Sequence, residues 1–134
     1  MITAVDSSAL IAVFLGETGS DAWMDLLVQC RREGALVICD IVAAELFAVV
    51  QDKKVFHRGL HDLGVSVMPV SVDAACEAGR IFFEYRKQGG PRKYLIPDFL
   101  IGAHAWVDCD RLIAADRGYL RKYFAGLEVM MVED

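Results

Sequence analysis

The chain has 134 residues, 55% of them hydrophobic and 25% charged, a composition that is typical of a globular protein and excludes a disordered one. This length predicts a single domain over residues 1–134, with a substantial core. The net charge of −5 argues against binding to nucleic acid through a general positive field. No segment is apolar enough for a membrane span, and Met1 leads directly into a strand without a basic segment. We therefore expect a cytoplasmic protein with no secretory signal.

Apolar strand patterns alternate with helical patterns along the whole chain. The predicted strands are 2–5, 35–39, 65–70, 112–115 and 128–132. The predicted helices are 7–15, 20–33, 41–51, 53–63, 73–87, 99–107 and 117–124. Because strands alternating with helices imply a parallel sheet covered on both faces, the predicted fold class is α/β, a three-layer α/β/α sandwich with a five-stranded parallel sheet.

Several local signals refine this prediction. Ser20 and Asp40 are predicted to cap the second and third helices, and Pro69 favours an edge position or an end for the third strand. The four cysteines have no C-x-x-C spacing and lie in apolar patterns, which predicts reduced thiols in the core. They are Cys30, Cys39, Cys76 and Cys109.

Asp6 stands at the junction of the first strand and the first helix and is the only charged side chain between Met1 and Gly16. Two hydroxyls, Ser7 and Ser8, stand beside it. One interpretation is a helix N-cap, since aspartate there accepts backbone N–H groups. The other is a functional carboxylate whose charge, stranded among apolar residues, is compensated by a metal or an opposite charge.

The same arrangement recurs three more times. Glu45 is the sole polar residue in the segment 41–50, where no lysine or arginine is in helical reach, although a chance exposed glutamate would look the same. Asp98 follows a proline and opens an apolar helix, where it can also act as a cap. The small residues Gly102 and Ala105 on its helical face are expected to leave space above the carboxylate. Asp116 ends the fourth strand as Asp6 ends the first.

These acids share a predicted location. Asp6 and Asp116 follow strand ends, while Glu45 and Asp98 are predicted in the first turns of helices entered from the same edge of the sheet, where ligands bind in open parallel sheets. Four carboxylates there would repel one another unless a hard cation joined them, and oxygen-only ligands favour Mg²⁺ or Mn²⁺ over Zn²⁺. Such a metal can activate water and neutralise the negative charge on a phosphodiester group. Without these four acids the net charge is −5 + 4 = −1, so global acidity does not exclude a polyanionic substrate.

Four segments, taken in their order along the chain, resemble the four acidic motifs of PIN-domain proteins. They are Val5-Asp6-Ser7-Ser8, Ala43-Ala44-Glu45-Leu46, Pro97-Asp98-Phe99-Leu100-Ile101-Gly102-Ala103 and Leu112-Ile113-Ala114-Ala115-Asp116. The order and spacing of these segments match the family, and the resemblance covers essentially the whole chain. The subgroup that the chain most resembles is the stand-alone VapC-type toxin, the ribonuclease of a toxin–antitoxin pair. The resemblance implies a five-stranded parallel sheet between helices, Mg²⁺- or Mn²⁺-dependent cleavage of RNA, a homodimer and inhibition by a small antitoxin.

The motifs then give candidate roles. All four acids are candidate catalytic residues and metal ligands. Asp6, Glu45 and Asp98 are the principal ligands, and Asp116 is a second or water-mediated one. There is one departure, because Ala114 stands where the family usually carries threonine or serine. Ser7 or Ser8 would then supply the supporting hydroxyl.

Basic residues near the third and fourth motifs have two interpretations. Solvated surface charge is the default, and RNA-phosphate contact, with Tyr94 as a stacking aromatic, is the alternative. The basic residues concerned are Arg86, Lys87, Arg92 and Lys93 around the Gly-Gly-Pro loop and Arg117, Arg121 and Lys122 after Asp116. The candidates chosen from them for RNA contact are Arg92, Lys93, Arg117 and Arg121. His57 and His61 have a zinc-like spacing but no third ligand, so a solvated helix face is predicted, and His104 is predicted as a core residue.

The leading hypothesis is therefore a metal-dependent endoribonuclease that cleaves RNA by metal-activated water, as the toxin of a type II toxin–antitoxin system. A catalytically weak or silent PIN-like binding module is the alternative. A response regulator is disfavoured because Asp116 stands where a lysine would be expected, and a dehalogenase-like phosphatase because Ser8 replaces its second aspartate. An antitoxin is expected to place an arginine or lysine among the four acids, with arginine favoured because its planar guanidinium can bridge two carboxylates. It is also expected to bind a groove at the helix 20–31 or around Phe56 and Leu60.

Overall fold

A computed structural model describes residues 1–89, 94–115 and 118–132. These residues form five strands, β1 to β5, and seven α-helices, α1 to α7. The strands are Ile2–Val5, Ala35–Ile38, Val65–Val67, Arg111–Ile113 and Glu128–Met130. The helices are Ser7–Leu15, Ser20–Glu33, Asp40–Val50, Lys53–Leu63, Val72–Lys87, Ile96–Ala103 and Gly118–Tyr123. No helix in the described part of the chain combines the length and apolar character that a membrane crossing requires.

The sheet is parallel throughout and has the order β3-β2-β1-β4-β5. One apolar cluster joins the sheet to α1, α2, α3 and α4, and a second joins its other face to α5, α6 and α7. The predicted three-layer sandwich with five parallel strands is therefore confirmed. The direction of the strand order reverses between β1 and β4, and such a reversal is where open parallel sheets place their ligands.

Strand β3 lies at the edge of the sheet and ends at Val67, two residues before Pro69. The edge position predicted from the proline is confirmed. The predicted strand to residue 70 was too long, because Val70 donates its N–H to the Asp40 carboxylate (3.1 Å) instead of continuing the ladder.

Both predicted N-caps are wrong in detail. The cap of α2 is Gly19, whose φ of 87° is in the left-handed region that glycine adopts readily, and Ser20 is the first helical residue. The cap of α3 is Cys39, and Asp40 is already helical. The long-range hydrogen bond from Val70 occupies the Asp40 carboxylate, which could not be seen in the local sequence.

The helix predicted over 99–107 begins earlier and changes form. Helix α6 starts at Ile96, with Pro97 in its first turn, and a π-helical segment follows at His104–Asp108. The space expected at Gly102 is filled, because a Cβ at that position would collide with the ring of Phe124. The missing side chain therefore serves the packing of α6 against Phe124 and opens no room for a ligand.

The cysteines are free thiols, as predicted, but not all of them are in the core. Cys30 and Cys39 are buried and Cys109 is partly buried, whereas Cys76 is exposed on α5, which corrects the prediction for that residue. Burial raises the pKa of Cys30 and Cys39, and raises the pKa of Cys109 to about 12. These three thiols are therefore protonated at neutral pH and weakly nucleophilic.

The histidines behave as predicted: His57 and His61 are exposed on α4, and His104 is buried at 1% exposure. Burial lowers the pKa of His104, although the nearby Asp108 acts in the opposite direction. A lowered pKa means that the unfolded chain takes up this proton before the folded chain does.

We expect the free energy of unfolding to fall as the pH drops below about 6.5, the ordinary pKa of histidine, at up to about 1.4 kcal/mol per pH unit from this group. Urea unfolding at pH 7.5, 6.5 and 5.5 measures the effect. A His104→Gln variant should lose most of this slope, and an equal slope in the variant would assign it to other groups.

Candidate active site

Asp6 lies directly after β1, beside the strand-order reversal. Its N–H donates to the carbonyl of Ile113 at 2.8 Å, which extends the β1–β4 ladder by one residue. The side chain is 2% exposed. Oδ1 accepts the N–H of Ser7 (2.9 Å) and Oδ2 accepts the hydroxyl of Ser8 (3.0 Å). Asp6 is thus the N-cap of α1, and both of its oxygens are held in fixed positions.

Glu45 is joined to this aspartate through Ser7. The Ser7 hydroxyl donates to Glu45 Oε1 at 3.0 Å, while the N–H of the same residue bonds Asp6. Helix α3 packs against α1, which brings the two elements to this distance. Glu45 is the sixth residue of α3, so it lies in the second turn rather than the first, and its side chain is exposed. The expectation of a glutamate stranded among apolar residues therefore holds for the sequence but not for the folded chain.

Asp98 is the third residue of α6, in the first turn as predicted. Its Oδ2 accepts the N–H of Leu95 (2.9 Å), and its own N–H donates to the carbonyl of Leu95 (3.0 Å). The local capping role considered from the sequence is therefore present. Helix α6 also packs against α3, so Asp98 and Glu45 lie on adjacent helices.

The fourth acid lies outside the described residues, and so do three of the four basic candidates: Asp116, Arg92, Lys93 and Arg117. Arg121 is exposed on α7, where its Nη2 lies 3.7 Å from the sulfur of Met131. Ala114 is fully buried in the apolar cluster under α5, α6 and α7.

The described acids offer the oxygen ligands that a divalent cation prefers, but their positions account for only part of a complete ligand set. Within residues 1–89, 94–115 and 118–132, no three acidic, histidine or cysteine side chains approach closely enough to form a ligand set. The described part of the site is a coupled pair, Asp6 and Glu45, with Asp98 on an adjacent helix. These donors are all carboxylate oxygens, which is the chemistry that Mg²⁺ and Mn²⁺ prefer.

The sequence and the fold both match a known family. The model of the PIN domain matches residues 3–125, which is most of the chain. The chain belongs to the PIN-domain family. A comparison with curated protein sequences gives no significant match.

Solved structures with the same PIN fold include toxin–antitoxin proteins. VapBC2 of Rickettsia felis, bound to a DNA fragment from its promoter, is 19% identical with a TM-score of 0.76, over 99% of this chain and 100% of that one. VapBC-1 of nontypeable Haemophilus influenzae is 17% identical with a TM-score of 0.69, over 98% of both chains. VapC20 of Mycobacterium tuberculosis, a toxin that cleaves the sarcin-ricin loop, is 16% identical with a TM-score of 0.64, over 94% and 98%. At these identities the likeness establishes the shared PIN fold.

Two features of the site were missed in the sequence. The first is the double role of Ser7, which bonds one acid through its backbone and another through its hydroxyl. The second is a group of aromatic rings around Phe99, the residue that follows Asp98. The signal for the second is the high aromatic content of the segment 82–99, of which only Tyr94 was singled out in the sequence.

Proposed function

We propose that this PIN-domain protein is a Mg²⁺- or Mn²⁺-dependent endoribonuclease and the toxin of a type II toxin–antitoxin system. The observation that carries the proposal is the buried carboxylate of Asp6, fixed by two hydrogen bonds and coupled to Glu45 through Ser7. A carboxylate that serves only as a cap does not need a second acid linked to it. Membership in the PIN-domain family supports the same chemistry.

The acids would share the cation. Asp6, Glu45 and Asp98 would be principal ligands, and Asp116 would add a fourth, as the family resemblance implies. When bound, a divalent cation supplies activation of water and neutralisation of charge on the scissile phosphate. Because Ser7 links Asp6 to Glu45, the two acids are preorganised for such a charge, which reduces the reorganisation that binding requires.

The chain's own hydroxyls have a positioning role in this proposal. Ser8 fixes Oδ2 of Asp6, and Ser7 fixes Oε1 of Glu45. Burial of Asp6 at the start of α1 keeps bulk water from competing for its oxygens, which strengthens their electrostatic interactions. These contacts compensate for the absence of a hydroxyl at Ala114.

The partners are proposed from the structural neighbours. VapC20 is described as cleaving the sarcin-ricin loop, and the Rickettsia and Haemophilus structures are VapBC proteins, so we propose an RNA substrate and a cognate antitoxin. The homodimer is proposed from the family resemblance, and the cytoplasmic location from the sequence. An apolar groove between α1 and α4 suits an amphipathic antitoxin segment. Its lining includes Val13, Phe14, Val55 and Leu63. Phe56 and Leu60, named from the sequence, are buried and do not line this groove.

The second candidate function is a catalytically weak or silent PIN-like binding module. The observation that favours it is Ala114, whose buried methyl group replaces the family's usual hydroxyl. Cleavage of total cellular RNA separates the two. The endoribonuclease cleaves in the presence of Mg²⁺ or Mn²⁺ and stops with EDTA, whereas the silent module binds RNA and leaves it intact under both conditions.

Glu45→Gln is expected to reduce cleavage by about 100-fold or more while leaving the fold intact, since partners of a bound metal carry effects of this size. Glutamine keeps the oxygen that accepts the Ser7 hydroxyl and removes only the charge. Because Glu45 is exposed, the free energy of unfolding should change by less than about 0.5 kcal/mol, rather than rise as for a buried repelling charge.

The control for this variant is Glu17→Gln, which neutralises an exposed glutamate elsewhere on the surface and should leave cleavage unchanged. Cleavage rates and urea unfolding are measured on the same preparations. An unfolded Glu45→Gln variant would instead assign Glu45 a structural role.

A further inference from the structure

Helix α5 carries two apolar lines of residues on opposite sides. The inner line is buried against the sheet and α6, and it consists of Ala74, Ala78, Ile81 and Tyr85. The other line faces away from the core and is called the outer seam here; it consists of Val72, Cys76, Gly79 and Phe83. Because an α-helix turns about 100° per residue, the outer seam stays within about 40° of one direction. A surface helix normally presents polar residues on that side.

The outer seam is exposed along its whole length. Val72 and Phe83, at its two ends, are 78% and 64% exposed, which makes them the most exposed large apolar side chains in the described residues. The apolar surface continues onto the π-helical segment. There Asp108 accepts the N–H and the hydroxyl of Ser71 (3.1 and 2.6 Å), which brings the exposed Val107 next to the start of α5. A continuous apolar surface of this kind is typical of an interaction site.

Within the described part of the chain, Gly79 has no packing role. A Cβ at this position would meet no atom within 4 Å, whereas a Cβ at Gly59 or Gly102 would collide with the ring of Phe14 or Phe124. Glycine in the interior of a helix is destabilising relative to alanine. A glycine at this position is explained if a second helix comes close to α5 there, since a side chain would keep the two backbones apart.

The order of residues in the outer seam fits a second copy of the same helix that runs in the opposite direction. Its spacing of four, three and four residues is the spacing with which helices pack side by side. The spacing is the same from either end, so Val72 lies opposite Phe83 of the second copy in an antiparallel pair. Cys76 then lies opposite Gly79 of the second copy. Large side chains meet at both ends of such a pair, and small residues let the helices approach at its centre.

The charges beside the outer seam favour the same arrangement. Asp73 and Arg80 lie on one flank of the seam, and both are exposed. In an antiparallel pair this flank meets the same flank of the other helix, which places Asp73 of each copy opposite Arg80 of the other. Arg80 donates from Nε and Nη2 to Glu77 of its own helix (3.1 and 2.7 Å), which leaves Nη1 for this contact. A parallel pair would lose this contact and would align the two helix dipoles unfavourably.

We propose that the outer seam of α5 is the interface through which two copies of this chain associate, as an antiparallel helix pair about a twofold axis. A second copy is the occupant that fits, because the spacing and the charges of the seam are both complementary to themselves, as a twofold interface requires. The inference rests on the homodimer in the proposed function, for which it names the surface. It involves none of the residues of the acidic site.

Sedimentation equilibrium in EDTA, without RNA, measures the association directly. The wild type is expected to be a dimer at about 100 μM. Phe83→Glu should raise the dissociation constant of the dimer at least about 100-fold, because each dimer would bury two unpaired charges in place of two rings. Gly79→Leu should raise it at least about tenfold by holding the helices apart. Because the space at Gly79 is open in the single chain, this variant should keep or increase its melting temperature. A residue with a role only in the fold of the single chain would not change the dissociation constant in this way.

The control for these variants is Leu15→Glu, which places a charge at an apolar residue that is 55% exposed on α1. It should leave the dissociation constant of the dimer unchanged.

An exchange of charges tests the antiparallel arrangement. Asp73→Arg and Arg80→Asp should each weaken the dimer about tenfold, because each places like charges opposite one another at two symmetric positions. The double variant restores both contacts and should bind within about threefold of the wild type. Asp25→Arg on α2 makes the same change in net charge as Asp73→Arg and should have no effect.

A wild type that stays monomeric at about 100 μM overturns the proposal, including a monomer that uses the seam to bind an antitoxin. A dimer that survives Phe83→Glu or Gly79→Leu in folded protein also overturns it, as does a double charge variant that binds no more tightly than the single ones. These results are independent of catalysis. A dimer that does not cleave RNA contradicts only the nuclease function, and a monomer that cleaves RNA contradicts only this interface.

Discussion

Asp6→Asn is expected to abolish divalent-dependent RNA cleavage, with a loss of at least about 100-fold, and to leave the stability of the metal-free protein nearly unchanged. The two effects separate because asparagine caps a helix about as well as aspartate. It retains an oxygen for the N–H of Ser7, and its amide can donate to the Ser8 hydroxyl. Only the charge that would hold a cation is removed. Initial cleavage rates and thermal melting in EDTA are the measurements.

Asp6→Ala is the matched variant for the capping role. Alanine removes the cap as well as the charge, so its free energy of unfolding should fall by about 1 kcal/mol relative to Asp6→Asn. If Asp6→Asn melts well below the wild type while keeping full activity, Asp6 is a structural cap and the proposed site is wrong.

Mn²⁺ or Mg²⁺ is expected to raise the melting temperature of the wild type. A cation that binds only the native state at 100 times its dissociation constant adds about 2.7 kcal/mol. In a chain of 134 residues this corresponds to a rise of about 10 °C. The physical reason is that Asp6 and Glu45 are held together by Ser7 in the folded state only, so an ion that neutralises them favours that state.

The controls for this stabilisation are the charge variants. Asp6→Asn and Glu45→Gln should each lose most of the rise, while Glu17→Gln should keep it. A melting temperature that does not respond to several-millimolar Mn²⁺ in the wild type would show that the acids do not form a metal site.

The strand-and-helix alternation was readable from the sequence because each element carries its own apolar period, and the parallel order follows from that alternation. Element ends were less predictable where distant residues decide them. The carboxylate of Asp40 bonds Val70, thirty residues away, which both shortens β3 and removes the predicted cap. Nothing in the residues near Asp40 encodes that contact.

In the candidate site, too, features set by the local sequence could be predicted and features set by distant residues could not. The position of Asp6 at a strand end could be predicted, because the apolar strand before it and the apolar helix after it fix the junction where it stands. The exposure of Glu45 could not, since an apolar helix sequence does not reveal which flank stays open. The prediction for Gly102 was wrong because the ring that fills its space, Phe124, comes from a segment more than twenty residues later. The π-helical segment after Ala103 has the same residue types as an α-helix and gave no signal.

The most direct test of the central claim is cleavage of a circular single-stranded RNA by the purified protein. A circle has no ends, so only an endonuclease can convert it to a linear product. We expect linear RNA to appear with Mg²⁺ or Mn²⁺, to be absent with EDTA, and to be absent with Asp6→Asn under all conditions. Circular RNA that stays intact with either cation, in a preparation that is folded and free of antitoxin, would contradict the account.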